Sequence, residues 1–279
     1  MSPRVLTVGH VTLDATPAGP APGGSVYYGG QALRALGARV QVLTAAAADF
    51  PASALDGLEA RVLPAPATTR FENRHGPDGA RTQRVGSAAP PLEAAALPAA
   101  WRGPDALLLA PVLAELDVPA FLAAAGAPLA GLGVQGLLRV VAADGRVLQP
   151  PWNPPAGWLD GVDVVFVGED EVRGQPGLLE LLQRAVPRVV FTHGARGCEL
   201  LEGGRSRWVG AYATAEVDPT GAGDVFAAGF MLALAGGAEP VEAARLGAAA
   251  ASIVVEAPGG AALGRVGEAW ARVAGVRAP

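Results

Sequence analysis

Residues 162–194 read VDVVFVGEDEVRGQPGLLELLQRAVPRVVFTHG. Two apolar runs, VDVVFVG (162–168) and RVVFTHG (188–194), flank GLLELLQRA (177–185), whose leucines recur at helical spacing. Neither run alternates strictly between polar and apolar, so both faces of each strand need a cover. Strand, helix and strand of this kind form one unit of a parallel sheet. The rhythm continues outward from there. RVLTVGH (4–10), RVQVLTA (39–45), DALLLAPV (105–112) and APLAGLGV (127–134) read as further apolar strands, and VPAFLAAAG (118–126) as a helix. YYGGQALRALG (27–37) has helical spacing and ends at Gly37, a natural residue just past a helix end. The expected fold is a single doubly wound α/β domain over residues 1–279. It has a mostly parallel sheet, helices on both faces and a ligand at the carboxyl ends of the strands.

One stretch breaks the rhythm. TTRFENRHGPDGARTQRVG (68–86) is polar, with two alternating arms around the turn signal GPDG. It reads as a hairpin exposed on both sides, either a plain surface excursion or a β lid over the site. Residues 14–22 are a second candidate segment of such a lid.

Composition narrows the function. The net charge is −5 and no block of arginines stands out, so neither a nucleic acid nor a membrane surface is an expected partner. All 21 basic residues are arginine. Without lysine there is no P-loop, no Schiff base and no protein-kinase lysine. The N-terminal residues show no signal-peptide pattern, and no long uncharged run escapes Gly or Pro, so no membrane span is expected. The lone Cys198 allows no internal disulfide and suits a reducing cytoplasm. His10, His75, His193 and Cys198 show no zinc-ligand spacing. Ser25, in GGSVY, lacks the closing glycine of a nucleophile elbow. GAGDVF lacks the third glycine of a dinucleotide fingerprint.

DPTGAGDVFAAGF (218–230) carries the chemistry. Asp218-Pro219-Thr220 favours a turn, and Val225–Ala235 reads as a helix buried nearly all round. Gly221, Ala222 and Gly223 form its start, where amides lack carbonyl partners and the helix dipole favours an anion. Asp224 sits in the first turn beside them. A lone acid there is commonly ordinary N-terminal stabilisation. Next to small residues that let a phosphate approach, it can also take the proton of a hydroxyl attacking phosphorus.

This segment resembles the C-terminal signature of the ribokinase (PfkB carbohydrate kinase) family. PGGSVYYGGQALRALGARV (22–40) resembles the family's N-terminal signature, and the order of the intervening elements fits as well. The resemblance covers almost the whole chain. It implies an ATP-dependent kinase acting on a hydroxyl of a small sugar-like molecule. Mg²⁺ would be needed, a monovalent cation is a further candidate, and a homodimer pairs through the lid. By position, Asp224 matches the catalytic base and Gly221, Ala222 and Gly223 the anion hole. Asp14, Gly23 and Gly24 match residues of the sugar site. FTHGARG (191–197) resembles the segment on the nucleotide phosphates, implicating Thr192, Gly194 and Gly197. EAPGGA (256–261) lies where the family walls the adenine, which points to Ala257 and Gly260.

Two departures stand out. The family's Asn-x-x-Glu at the end of a central strand, which orients Mg²⁺ water, is here Gly168 with Glu171, and Glu169 competes for the same role. The Asn that contacts sugar after the Gly-Gly pair is here Tyr28. That variant, with VGHVTLD (8–14), GVQGLLR (133–139) and FENRHGPDGARTQRV (71–85), resembles a subgroup that includes myo-inositol kinases. The likeness favours the lid reading of 68–86. It implicates Gln135 and Arg139, and from the lid Asn73, Arg81 and Gln83, in binding a sugar or cyclitol. Two alternatives stay open: a nucleoside kinase of the same family, and a non-catalytic sugar- or nucleotide-binding regulator.

Overall fold

A computed structural model describes residues 2–17, 19–75 and 81–273, with the side chains of 73–75 and 81 outside the description. Its fifteen strands fall into three sheets. The first part of the chain runs β1 (Arg4–Val8), β2 (Thr12–Thr16), β3 (Gly19–Gly23), α1 (Ser25–Ala35), β4 (Arg39–Ala46), β5 (Glu59–Pro64), β6 (Thr69–His75) and β7 (Arg81–Ser87). The middle follows with β8 (Ala106–Leu109), α2 (Val118–Ala125), β9 (Ala130–Gly133), β10 (Val140–Val141), β11 (Val147–Leu148), β12 (Val164–Gly168), α3 (Glu169–Arg173) and α4 (Leu178–Ala185). The last part is β13 (Arg188–Thr192), β14 (Gly197–Glu202), β15 (Arg205–Gly210), α5 (Ala222–Ala235), α6 (Pro240–Val254) and α7 (Ala269–Arg272).

The large sheet has the order β15-β14-β13-β12-β9-β8-β1-β4-β5. Pairing is parallel from β5 through to β13, and β14 and β15 then add antiparallel. The continuous apolar runs explain this. Val164–Val167 and all of β8 are buried on both sides, as strands covered by helices must be. One core lies between the sheet and α1, α5 and α6, around Phe166, Phe226 and Phe230. The other lies beneath α2 and α4, around Phe121, Leu107 and Leu182.

Helix α6, PVEAARLGAAAASIV, gave no clear periodic signal because nearly every face is alanine. Its small residues serve close packing on α5. A methyl on Gly229 would lie only 3.2 Å from the Cα of Gly247. Burial then follows from how near two backbones can come.

The polar stretch does form an antiparallel pair, β6 with β7, in register Phe71↔Val85 and Asn73↔Gln83. Its turn, 76–80, lies outside the described residues. Strands β2 and β3 join it in a four-stranded sheet of order β3-β2-β6-β7.

Buried polar groups tie this small sheet to the large one. His10 is 1% exposed, and its Nε2 meets the Pro90 carbonyl at 3.0 Å. A carbonyl only accepts, so Nε2 carries the proton and Nδ1 accepts from the Thr69 hydroxyl (3.1 Å). Burial pulls the His10 pKa below its ordinary value, consistent with that neutral form. Glu115, also buried, accepts the amides of His10 (2.9 Å), Val112 (3.0 Å) and Leu113 (2.7 Å). These charge-assisted bonds fix the loop after β8 against the start of the small sheet.

Candidate active site

A cavity of about 460 Å³ opens where the carboxyl ends of β8, β9, β12 and β13 face the small sheet and the start of α5. Most expected residues meet there. Asp14, Gly24, Tyr28, Gln83, Gln135, Arg139, Glu171, Thr192, Gly221, Gly223 and Asp224 all line it. Asn73 and Arg81 lie on β6 and β7, but their side chains are outside the described residues. Gly23, Glu169, Ala222, Gly194, Gly197, Ala257 and Gly260 are not among the lining residues.

Asp224 is the third residue of α5, whose N-cap Gly221 is left-handed (φ 79°, ψ −1°). Only glycine takes this conformation cheaply. The turn spends the Ala222 amide on the Pro219 carbonyl (3.1 Å) and brings Gly221 and Gly223 to the cavity wall. The half-buried Asp224 carboxylate accepts the Ser25 hydroxyl. Burial lifts its pKa to about 6, with Glu171 and Asp14 adding to the rise, while the Ser25 bond and the Arg139 charge work against it. A carboxylate held there changes protonation close to neutral pH, as a general base should.

The opposite wall has a different character. Asp14, on β2, accepts the Thr12 hydroxyl at 2.9 Å. Gly23 serves it from behind, because a Cβ at that position would lie 2.4 Å from Asp14 Oδ2. Arg139 is 9% exposed, donates to the Val112 carbonyl (3.0 Å) and lies over the Phe71 ring at 5.3 Å. Carboxylate, guanidinium, the Gln83 and Gln135 amides and the hydroxyl-bearing Thr12, Ser25, Thr192 and Thr220 line one space. That mixture suits a small molecule bearing several hydroxyls.

The two glutamates after β12 separate cleanly. Glu171 accepts the Gly168 amide (2.5 Å) and the Gln135 amide (3.0 Å), and it lines the cavity. Glu169 turns away to His193 Nδ1 (2.7 Å) and to Arg196. The His193 bond, then the Arg196 bond, hold its pKa below the ordinary carboxylate value. Glu169 is thus a brace between α3 and the β13–β14 turn. Among the described residues no group of three or more His, Cys, Asp or Glu could hold a metal unaided.

Gly197 pairs across the β14–β15 hairpin with Gly210. The loop after α6 is clamped by Glu256, which binds Arg272 (2.6 Å), Thr214 (2.8 Å) and Arg265 (2.9 Å). Those bonds, the Arg272 bond first, bring the Glu256 pKa down to about 2.

Sequence reasoning passed over Ser25, Phe71 and Asp218. The GGSVY context of Ser25 bears only on a nucleophile elbow, whereas its place directly after Gly24 sets it opposite the start of α5. Asp218 was read as a turn former. It accepts the Thr220 amide and hydroxyl (2.9 and 2.6 Å) and the Gly259 amide (2.8 Å), joining two loops at the cavity. Burial pushes its pKa up, but these bonds outweigh burial and leave it below the ordinary value.

Residues 142–264 match the family model described as pfkB family carbohydrate kinase. Over that segment the chain is similar to the carbohydrate kinases of the PfkB family. Solved structures share the ribokinase fold across almost the whole length. A pyrophosphate-dependent kinase of the ribokinase family, complexed with a pyrophosphate analog and myo-inositol, is 22% identical with a TM-score of 0.80, over 95% of this chain and 99% of that one. Arabidopsis thaliana ribokinase, complexed with ribose and ATP, is 20% identical with a TM-score of 0.71, over 99% and 100%. The Methanocaldococcus jannaschii nucleoside kinase is 19% identical with a TM-score of 0.72, over 98% and 99%. No described helix of this chain is long and apolar enough to cross a membrane.

Proposed function

We propose that this chain is an ATP-dependent kinase that phosphorylates a hydroxyl of a small neutral sugar or cyclitol, with Asp224 as general base. The observation that carries this reading is the placement of Asp224. Its carboxylate stands at the start of a buried helix and shares one cavity with Asp14, Arg139 and Gln135.

The acceptor lies against Asp14, Gln83, Gln135 and Arg139, and the small sheet acts as its lid. Asp224 takes the proton of the attacking hydroxyl. The amides of Gly221 and Gly223 face the transferred phosphoryl group, and Thr192 flanks the donor. Catalysis of this kind rests on positioning and electrostatics. Mg²⁺, bound with the donor, would draw off charge developing on the phosphate oxygens. Such an ion keeps several waters and needs few protein ligands, so a single ordered carboxylate fits it. Glu171, fixed by Gly168 and Gln135, is the residue that would hold one of those waters.

One observation favours a second donor, inorganic pyrophosphate. Ala257 and Gly260, expected at the adenine, do not line the cavity, nor do Gly194 and Gly197 of the segment expected on the nucleotide phosphates, while Thr192, Gly221 and Gly223, expected at the phosphates, do. The likeness to a kinase described as pyrophosphate-dependent points the same way. Both donors are tested together. Purified protein is given MgATP or magnesium pyrophosphate with myo-inositol, ribose, fructose, 2-keto-3-deoxygluconate or adenosine. ADP and inorganic phosphate are then measured, with Asp224→Asn as control. Release with MgATP and one sugar or cyclitol, abolished by the substitution, is the expected result. Phosphate release from pyrophosphate alone would establish the second donor. Donor binding without turnover on any acceptor would sink the kinase reading and favour a regulator.

A further inference from the structure

Tyr27 and Tyr28 stand at the start of α1, with ring centroids 5.0 Å apart and planes inclined by 66°. Tyr28 is 4% exposed. Its ring lies directly against Gly221. A methyl added there would fall 2.3 Å from Tyr28 Cδ1 and 2.5 Å from Cγ. Gly221 is therefore glycine for two independent reasons, its left-handed φ and the ring beneath it.

The contact extends beyond one residue. Asp218 ties the 218–221 turn to the Gly259 amide at 2.8 Å. Both phenols reach that second loop. A Cβ on Gly259 would lie 4.0 Å from the Tyr28 hydroxyl oxygen, and one on Gly260 only 2.4 Å from that of Tyr27. Burial first, then the surrounding Asp14, Tyr27, Asp224 and Asp218, raise the Tyr28 pKa and keep its phenol protonated. A neutral, rigid aromatic body thus sits below both loops.

We propose that Tyr28 is a positioning residue for the anion hole and not a ligand of the acceptor. Its ring is the floor on which the Gly221 turn rests, and it fixes the direction in which the Gly221 and Gly223 amides point. The inference rests on the phosphoryl-transfer reading. Donors that are already aimed need no reorganisation during the reaction. A misplacement of about 1 Å is enough to cost on the order of 10²-fold in rate.

The experiment compares wild type, Tyr28→Phe, Tyr28→Ala, Gly221→Ala and the Tyr28→Ala/Gly221→Ala double variant, with Tyr28→Leu replacing Tyr28→Ala should the latter unfold. Turnover and the KM of the identified acceptor are measured, together with calorimetric binding of inorganic phosphate. Tyr28→Phe keeps kcat within about twofold, and Tyr28→Ala lowers it about 10–100-fold with an unchanged acceptor KM. The double variant is no worse than Gly221→Ala alone, because removing the ring frees the space the methyl needs. A Tyr28→Phe variant with raised acceptor KM and normal kcat, or single effects that multiply in the double, would overturn the inference. Should wild type turn over nothing, the phosphoryl-transfer reading fails, and phosphate binding still decides the Tyr28 question. Binding retained in Tyr28→Phe but weakened in Tyr28→Ala supports it, and equal binding in both rejects it.

Discussion

Two helices begin at the wall of this cavity, and each carries an acid at its third position. Helix α3 has Glu171, and α5 has Asp224. By sequence the two acids are interchangeable, since both suit the start of a helix. The structure gives them different partners. Gly168, before α3, is extended (φ −105°, ψ 169°), and Glu171 folds back onto its amide. Its other oxygen is held by Gln135. Gly221, before α5, is left-handed over the Tyr28 ring. Asp224, one methylene shorter, meets Ser25 from a neighbouring helix and faces the cavity. The backbone before the helix, and not the acid itself, decides whether a carboxylate folds back on its own turn or meets a neighbouring helix.

The largest expected effect tests that contrast directly. Asp224→Asn lowers kcat by at least about 10²–10⁴-fold, the usual contribution of a general base. Glu171→Gln keeps the side chain's shape but only one of its two acceptors, and it lowers kcat by about tenfold, the scale typical for an outer ligand. Steady-state kinetics on both variants check this. A larger loss at Glu171 than at Asp224 would reverse the assignment of roles.

A smaller effect sharpens the Asp224 side. With the base near 6, kcat falls as pH drops below about 6. Ser25 donates to the ionised carboxylate and so favours the charged form. Removing that donor raises the pKa of the base, and the acid limb of Ser25→Ala moves to higher pH while the rate at pH 8 stays near wild type. Arg139, Asp14 and Glu171 also act on this carboxylate and remain in the variant. Ser25→Thr, which keeps the hydroxyl, restores the wild-type limb. A pH–rate profile unchanged in Ser25→Ala would remove the bond from the mechanism.

The fold was readable because its signals are local. Uninterrupted apolar runs such as VDVVFV and ALLL specify strands covered on both faces, and the leucines of α4 mark one helix face. Gly221–Asp224 was readable for the same reason, with turn, small residues, acid and apolar helix adjacent in sequence. Other features depend on residues far apart. Nothing near Ser25 shows that it meets Asp224, about two hundred positions on. The His10–Thr69–Pro90 contacts and the Glu115 clamp join four separate segments. Sequence alone makes Glu169 and Glu171 rivals, because only the fold brings His193 and Arg196 beside the first and Gln135 beside the second. Strands β2 and β3 overlap the 14–22 stretch read as a second candidate lid segment, but the glycines, prolines and alanine of β3 carry little strand signal of their own.

The smallest effect is thermodynamic, and its sign separates the two acids. An unfolded aspartate titrates near 4, and the folded Asp224 near 6. The native state therefore holds this proton more tightly. Stability contributed by that difference is complete below about pH 4 and is lost as pH rises through 6. Above that, the ionised carboxylate sits in the fold at a cost that asparagine avoids. Asp224→Asn should then melt a few degrees above wild type at pH 8, and the gap should close toward pH 4. Glu171→Gln should melt lower than wild type at pH 8, because the Gly168 and Gln135 amides lose a charged acceptor. Melting curves of both variants across this range check the signs. A destabilised Asp224→Asn at pH 8 would mean that its carboxylate, like that of Glu171, chiefly holds its own turn together, and the contrast between the two helix starts would fall.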